Sequence, residues 1–504
     1  MRAADQLARE VVCAGFTGRT PDEAPLEALR ALGIHAAILF ARNAGSREEV
    51  KALVAALSGV LSDDDPALIC VDQEGGQIAR LRDGVVELPS MMALGATRDS
   101  SLARRAGARL GRDLRRLGVN LDFAPVLDLA LEPRNTVIGA RAFGEDPEDV
   151  GALGAAFARG LADGGVVAVG KHFPGHGATE VDSHEALPVL KLDEERWRER
   201  ELVPFERAIR DARIPAVMTA HVVVPPLDPA RPATLSRAVV TGILRDELRY
   251  DGVVFSDCLE MEAIAREYGT ARAAPLALAA GADCIVISHR LELAREAIDA
   301  IAGAARDGAL AMARLEEAAA RMRRLRASIP GRPEATAPDP EIALEIARGA
   351  VTLLRGSFAL AAGGALTVVS FEGSERPSLS AALRRRKIQS EIMRIALDPS
   401  DDDLELLENV LRGMPGRAIA IVVRRAHLHP AQARAVARIL AAAPEAAVIS
   451  AREPYDAALW PRAKTLACIY DDGEISLEGV ADVMTGRAKA SGSLPVRLEP
   501  AAVR

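Results

Sequence analysis

Between residues 11 and 289 the chain repeats one pattern: a short β-rich apolar run bounded by polar residues or glycine, then in most intervals an Ala/Leu/Arg stretch with helical periodicity. The runs are VVCAGF (11 to 16), AAILFA (36 to 41), ALICVD (67 to 72), NLDFAP (120 to 125), VVAVGKHF (166 to 173), AVMTAH (216 to 221), GVVFSD (252 to 257) and DCIVIS (283 to 288). Strands that alternate with helices such as SREEVKALVAALSGVL and SLARRAGARLGRDLRRLG are organised as parallel βα units are. Eight such units predict an α/β chain whose N-terminal part is a (β/α)8 TIM-like barrel.

The polar residues gather at one end of the runs. Asp72, Asp122, Lys171 with His172, His221, Asp257 and His289 all sit at or near C-terminal strand ends, the edge where barrel enzymes place their chemistry. Any one of them could be a strand-terminating polar residue, but six of the eight strands end this way.

After the helix DGALAMARLEEAAARMRRLRAS comes IPGRPEATAPDP, residues 329 to 340, a proline-rich stretch with the composition of an extended connector. A second alternating series follows: ALTVVSF (365 to 371), QSEIMRIAL (389 to 397), AIAIVV (418 to 423), EAAVIS (445 to 450) and TLACIY (465 to 470). It predicts a smaller, doubly wound α/β domain. The expected layout is a barrel over 1–328, a linker over 329–340 and the second domain over 341–504.

A length of 504 residues suits two or three cores, and 49% hydrophobic with 27% charged residues is the composition of a globular protein. A formal net charge of −8 opposes nonspecific attraction to nucleic acid or an anionic membrane, so a small ligand is the expected partner. Asp5, Arg9 and Glu10 interrupt the position where a signal peptide would be apolar, and no window approaches the roughly 20 apolar residues of a spanning helix, so a cytoplasmic protein is expected. Five scattered cysteines, Cys13, Cys70, Cys258, Cys284 and Cys468, with no C-x-x-C pair, read as reduced thiols mostly buried in strands.

The densest chemistry is KHFPGHGATEVDSHEALP, residues 171 to 188, with three of the chain's eight histidines. His172 and His176 have the i, i+4 spacing of two metal ligands on a helix, but Pro174 and Gly175 between them break that helix, and Phe173 stands where a zincin motif needs glutamate. No metal is expected. The alternative is proton transfer by Asp182-Ser183-His184, in which the carboxylate holds the imidazole in one tautomer and favours its cation. Pro174, Gly175 and Gly177 mark the segment as a loop.

KHFPGHGATEVDSH, together with VDQEGGQIARL (71 to 81), IGARAFGEDP (138 to 147), MTAHV (218 to 222) and FSDCLEM (255 to 261), resembles the family 3 glycoside hydrolases, specifically their β-N-acetylglucosaminidase branch, over roughly residues 1 to 330. The rest is similar to the α/β sandwich domain some members carry, with SGSLPV (491 to 496) like its usual ending. The resemblance implies Asp257 as nucleophile, His184 as acid/base, Asp182 as the group that orients and charges His184, and substrate contacts from Asp72, Arg80, Arg141, Lys171, His172, Asp122 and His221. It further implies a retaining, cofactor-free β-N-acetylhexosaminidase acting on a muropeptide-type fragment. From the residues themselves, Arg141 could instead pair with Glu145, and Asp122 could be a capping residue. Four other functions stay open: substrate-assisted hydrolysis using Asp72 and Glu74, an N-acetylglucosaminide phosphorylase in which phosphate replaces water, a β-glucosidase-like enzyme, and a non-catalytic sugar-binding protein.

Overall fold

The computed structural model describes residues 2–179, 187–329, 339, 341–358, 365–372, 377–413 and 417–498. Eight strands close a parallel barrel: β1 (Val12–Gly15), β2 (Ala36–Leu39), β3 (Leu68–Val71), β4 (Leu121–Asp122), β5 (Val167–Phe173), β6 (Ala216–Thr219), β7 (Val253–Cys258) and β8 (Cys284–Ile287). Each pairs with its neighbours in chain order, and β8 returns to β1 with Val12 opposite Ile285. All eight predicted runs are strands of this barrel. The fourth is shorter than expected: its ladder spans Leu121–Asp122, and pairing resumes only as an isolated bridge from Val126 to Lys171.

The apolar runs follow from burial on both faces. Ile38, Leu68, Cys70, Phe123, Val169 and Phe255 fill the interior, while Ala37, Leu39, Ile69, Val71, Val217 and Val254 face the helices. Phe123 and Phe255 meet edge to face across the interior at 5.4 Å. Four cysteines are buried in strands, Cys258 is half-buried, and all five are free thiols.

The helices Ser100–Leu117 and Pro147–Asp163 pack backbone to backbone. A Cβ on Gly107 would lie 2.3 Å from the Phe157 carbonyl oxygen, and one on Gly160 would lie 2.2 Å from that of Arg104. Each helix is started by an aspartate: Asp99 accepts from the Leu102 amide and Asp146 from those of Glu148 and Asp149, with Pro147 in the first turn.

The second sheet holds β9 (Thr352–Arg355), β10 (Leu366–Phe371), β11 (Ser390–Ile395), β12 (Ala418–Val423), β13 (Ala447–Ser450) and β14 (Thr465–Cys468), in spatial order β9-β14-β13-β12-β10-β11. Five strands are parallel, as the second series predicts, and their order is that of a doubly wound sheet. The sixth, β9, is an antiparallel edge on β14 that the sequence reading did not identify; it is short and half-exposed, and lacks a continuous apolar run. Helix Ile342–Ala350 packs on Met91–Thr97 of the barrel side and on Glu474–Met484 of the second sheet, joining the two layers. Among the described residues no helix is long and apolar enough to cross a membrane.

The helix contact yields a test. Gly160→Ala is expected to cost roughly 1–3 kcal/mol, because backbone rather than a flexible side chain blocks the added methyl. Urea unfolding of the variant should show a lower midpoint with an unchanged slope; an unchanged midpoint would refute the close packing.

Candidate active site

Side-chain alternation places the pocket. Cys70, Val169 and Phe255 point inward, so two residues on, at the C-terminal mouth of the strands, Asp72, Lys171 and Asp257 point the same way. They line a cavity of about 300 Å³, joined by Glu74, Arg80, Arg141, His172 and Phe40. Asp122 and His221 have the opposite parity. They lie fully buried behind the wall and do not line the cavity. Asp122 Oδ1 accepts from the Gln73 amide at 2.9 Å, so it caps no helix but anchors the residue between Asp72 and Glu74. His221 donates from Nε2 to the Cys258 carbonyl at 3.0 Å and bonds Thr234 through Nδ1, bracing the strand end that carries Asp257.

The floor is an ion network. Lys171 Nζ reaches Asp72 Oδ1 at 2.7 Å and Glu74 Oε1 at 2.6 Å. Arg141 clamps Glu74 with two parallel bonds, Nε to Oε2 at 2.8 Å and Nη2 to Oε1 at 2.7 Å, and also donates to the Val137 carbonyl at 2.9 Å. Arg141 therefore does not pair with Glu145, which instead meets Arg497 at 3.0 Å. Lys171 and Glu74 are almost wholly excluded from water, a costly state for either ion alone. Burial would raise the Glu74 pKa, yet the Arg141 and Lys171 charges hold it far below the usual range; burial would lower that of Lys171, yet Asp72 and Glu74 raise it.

A second buried carboxylate supports the histidines. Asp128 Oδ2 accepts from His172 Nδ1 at 2.6 Å and from the His172 amide at 3.1 Å, while Oδ1 accepts from the His176 amide at 2.7 Å. A carboxylate partner places the proton on Nδ1, which leaves Nε2 of His172 facing Arg141 Nη2 at 3.5 Å. His176 is pushed down to about 4, first by burial, and bonds Thr179 Oγ1 through Nδ1. It acts within the loop as a neutral imidazole.

Asp257 accepts from the Cys258 amide at 2.7 Å. Burial opposes its ionisation, but the neighbouring His221 and His172 imidazoles, the Cys258 amide and Lys171 outweigh that and hold its pKa below the usual carboxylate value. For Asp122 burial wins over the Gln73 amide and the Lys171 charge, and its carboxyl is raised above the usual range. At the rim, Phe40 and His289 rings lie 5.4 Å apart, and the Arg42 and Arg80 guanidinium carbons stand 4.5 and 5.6 Å from the Phe40 ring centre. Arg80 Nε is buried without a hydrogen-bond partner.

The structure thus brings Asp72, Arg80, Arg141, Lys171, His172 and Asp257 into one pocket. Asp182 and His184 lie outside the described residues. The described flanks of their segment are fixed at the mouth: Asn135 Nδ2 donates to the His176 and Gly177 carbonyls, the Val223 amide donates to the Pro188 carbonyl, and the Leu190 amide donates to the Val223 carbonyl. Asp128, Asn135, Phe40 and Glu260, which lines the cavity and accepts from the His289 amide at 2.6 Å, were missed by sequence reasoning. Asp128 left a usable signal, since a single carboxylate inside the apolar stretch FAPVLDLAL must be buried and therefore paired. Among the described residues no group of three or more His, Cys, Asp or Glu side chains is disposed to hold a metal ion.

A closed parallel barrel with charged side chains gathered over the C-terminal ends of its strands is the architecture of a barrel enzyme. The glycosyl hydrolase family 3 N-terminal domain matches residues 6–325, and the chain belongs to that family of glycoside hydrolases. It is 42% identical over 265 residues, covering 52% of this chain and 78% of the relative, to a curated β-hexosaminidase of Pseudomonas aeruginosa. Over 99% of both chains it superposes on a family 3 β-N-acetylglucosaminidase from Paenibacillus sp. str. FPU-7, at 36% identity and a TM-score of 0.90. A β-glucoside phosphorylase shares the fold alone, with 21% identity, a TM-score of 0.81, and coverage of 98% of this chain and 94% of that one.

Glu201 supplies a test of pH dependence. It sits beneath the turn at Gly175, its Oε2 has no hydrogen-bond partner, and burial lifts its pKa from 4.5 to about 7. The folded state then holds a proton that the unfolded state releases, so stability falls as pH rises from 4.5 toward 7, by at most about 3 kcal/mol. Glu201→Gln is expected to raise the Tm relative to the wild type at pH 8, with the difference vanishing below the unfolded pKa. Parallel Tm curves for the two proteins across that range would contradict it.

Proposed function

We propose that the protein is a retaining exo-β-N-acetylhexosaminidase that releases terminal N-acetylglucosamine from small β-glycosides of the muropeptide type. The observation that carries this reading is Asp257 at the end of β7, ionised within a cavity of about 300 Å³ whose other wall is the Lys171, Glu74 and Arg141 network. That volume is at the small end of ligand pockets, which run about 300–1,000 Å³, and it favours one sugar ring over a chain. Asp72, Arg80, Arg141, Lys171 and His172 offer the paired, charged groups that hold ring hydroxyls. The similarity to the Pseudomonas and Paenibacillus proteins supports the acetylated sugar.

In the first displacement an Asp257 oxygen forms an ester bond to the anomeric carbon while the glycosidic bond breaks, and protonated His184 gives its proton to the departing oxygen. In the second, water attacks the same carbon, its proton passes to neutral His184, and the Asp257 carboxylate is freed. Two inversions retain configuration. Asp182 holds the imidazole in the tautomer this exchange needs.

A 5-fluoro analogue of N-acetylglucosamine with a good leaving group should trap an ester on Asp257, located by mass spectrometry of the digested protein, and Asp257→Ala should be inactive. Label on another residue would overturn the assignment. His184→Ala should lose at least about ten-fold more activity on a natural disaccharide than on an activated aryl glycoside, because a good leaving group needs little protonation. Equal losses would refute the acid role. A strict requirement of turnover for phosphate would replace hydrolysis with phosphorolysis.

A further inference from the structure

The C-terminal edge of the second sheet is pressed against the barrel loop that follows β4. Tyr455 donates its hydroxyl to the Ala130 carbonyl at 3.2 Å, and His427 donates from Nε2 to that of Pro133 at 3.1 Å. Arg425 reaches the Thr136 carbonyl at 3.5 Å, and Glu453 Oε1 accepts from the Ala140 amide at 3.4 Å. These contacts track the loop in order, ending one residue before Arg141. Arg425 and Glu453 follow the adjacent strands β12 and β13 and lock each other through two bonds of 2.9 and 2.7 Å.

Glu453 lies against the turn itself. Gly139 has φ +44°, and a Cβ there would stand 2.4 Å from Glu453 Oε1, so the carboxylate fills the space a side chain would need. Gly139, Ala140 and Arg141 form one short 3-10 turn, and its last residue sends the guanidinium to Glu74. A long side chain reaches a bidentate geometry only if its backbone origin is fixed, and among the described residues the Ala140 amide is held by Glu453.

We propose that Glu453, held by Arg425, is a positioning residue for Arg141, so that the second domain sets the geometry of the sugar pocket without entering it. This rests on the reading of that pocket as the sugar site. The Glu453 carboxyl is fit for the role: burial would raise its pKa, but the hydrogen bonds and charge of Arg425 hold it down to about 2.

The test uses the full chain. Glu453→Ala is expected to raise KM for an aryl N-acetylglucosaminide about ten-fold with kcat changed less than about three-fold, the signature of lost ground-state binding, while Glu453→Gln, which can still accept from Ala140, recovers most of it. In an Arg141→Ala background, Glu453→Ala should change kcat/KM by less than about two-fold, because the group it positions is already gone. Equal factors in both backgrounds, or an unchanged KM in the single variant, would overturn the proposal. A readout free of substrate stands beside it: amide exchange over residues 137–141 should accelerate about ten-fold in Glu453→Ala. Exchange equal to the wild type would sink the positioning role. Accelerated exchange in a protein that turns over no N-acetylglucosaminide would support it and count against the proposed activity alone.

Discussion

The pocket depends on Glu74, a carboxylate buried in the first strand of the hairpin Gln73–Gly75/Ile78–Ala79 and gripped at once by Lys171 from β5 and Arg141 from the loop after β4. None of the three ions is tolerable alone at that depth, since an unpaired buried charge costs several kcal/mol. Together they fix strand ends, hairpin and loop relative to one another. The hairpin carrying Glu74 is itself secured through Gln73, whose side chain bonds Arg80 and Leu81 backbone atoms while its amide is taken by Asp122.

Asp128 does for the histidines what Glu74 does for the cations. It takes three hydrogen bonds from the segment His172 to His176, and so turns the loop after β5 back over the mouth. Trp197 adds a bond from Nε1 to the Pro174 carbonyl. The floor is therefore held by strand pairing and ions, and the walls by buried acceptors that tie loop backbone in place.

Much of this was legible in the sequence because parallel barrel strands are buried on both faces and so announce themselves as short apolar runs, and because the pocket residues terminate those runs. The same alternation would have separated Asp122 and His221 from the lining residues: Leu121 and Phe123 point inward, so the residue between them cannot. Partner choice was not legible. Arg141 has Glu145 four positions away, yet it pairs with Glu74, 67 positions away, because the 3-10 turn aims it across the mouth. The edge strand β9 escaped for a different reason. Pairing on one side only leaves it half-exposed, and its sequence need not be apolar.

The distribution of supports follows from where each group originates. Asp72, Lys171 and Asp257 leave the ends of paired strands, whose hydrogen-bond ladders fix backbone position without further help. His172 lies where the β5–β6 register shifts between Gly170 and Phe173, and Arg141 leaves a 3-10 turn outside any ladder; both have added props, Asp128 for the first, and Val137, Glu74 and the edge of the second sheet for the second. A pocket that must hold several hydroxyls at once tolerates displacement of any one contact poorly, so the loops need the rigidity the strands have by construction. Binding geometry at the mouth of β4 is thereby coupled to residues around 425 and 453, far along the chain, and a single domain's core does not by itself account for it.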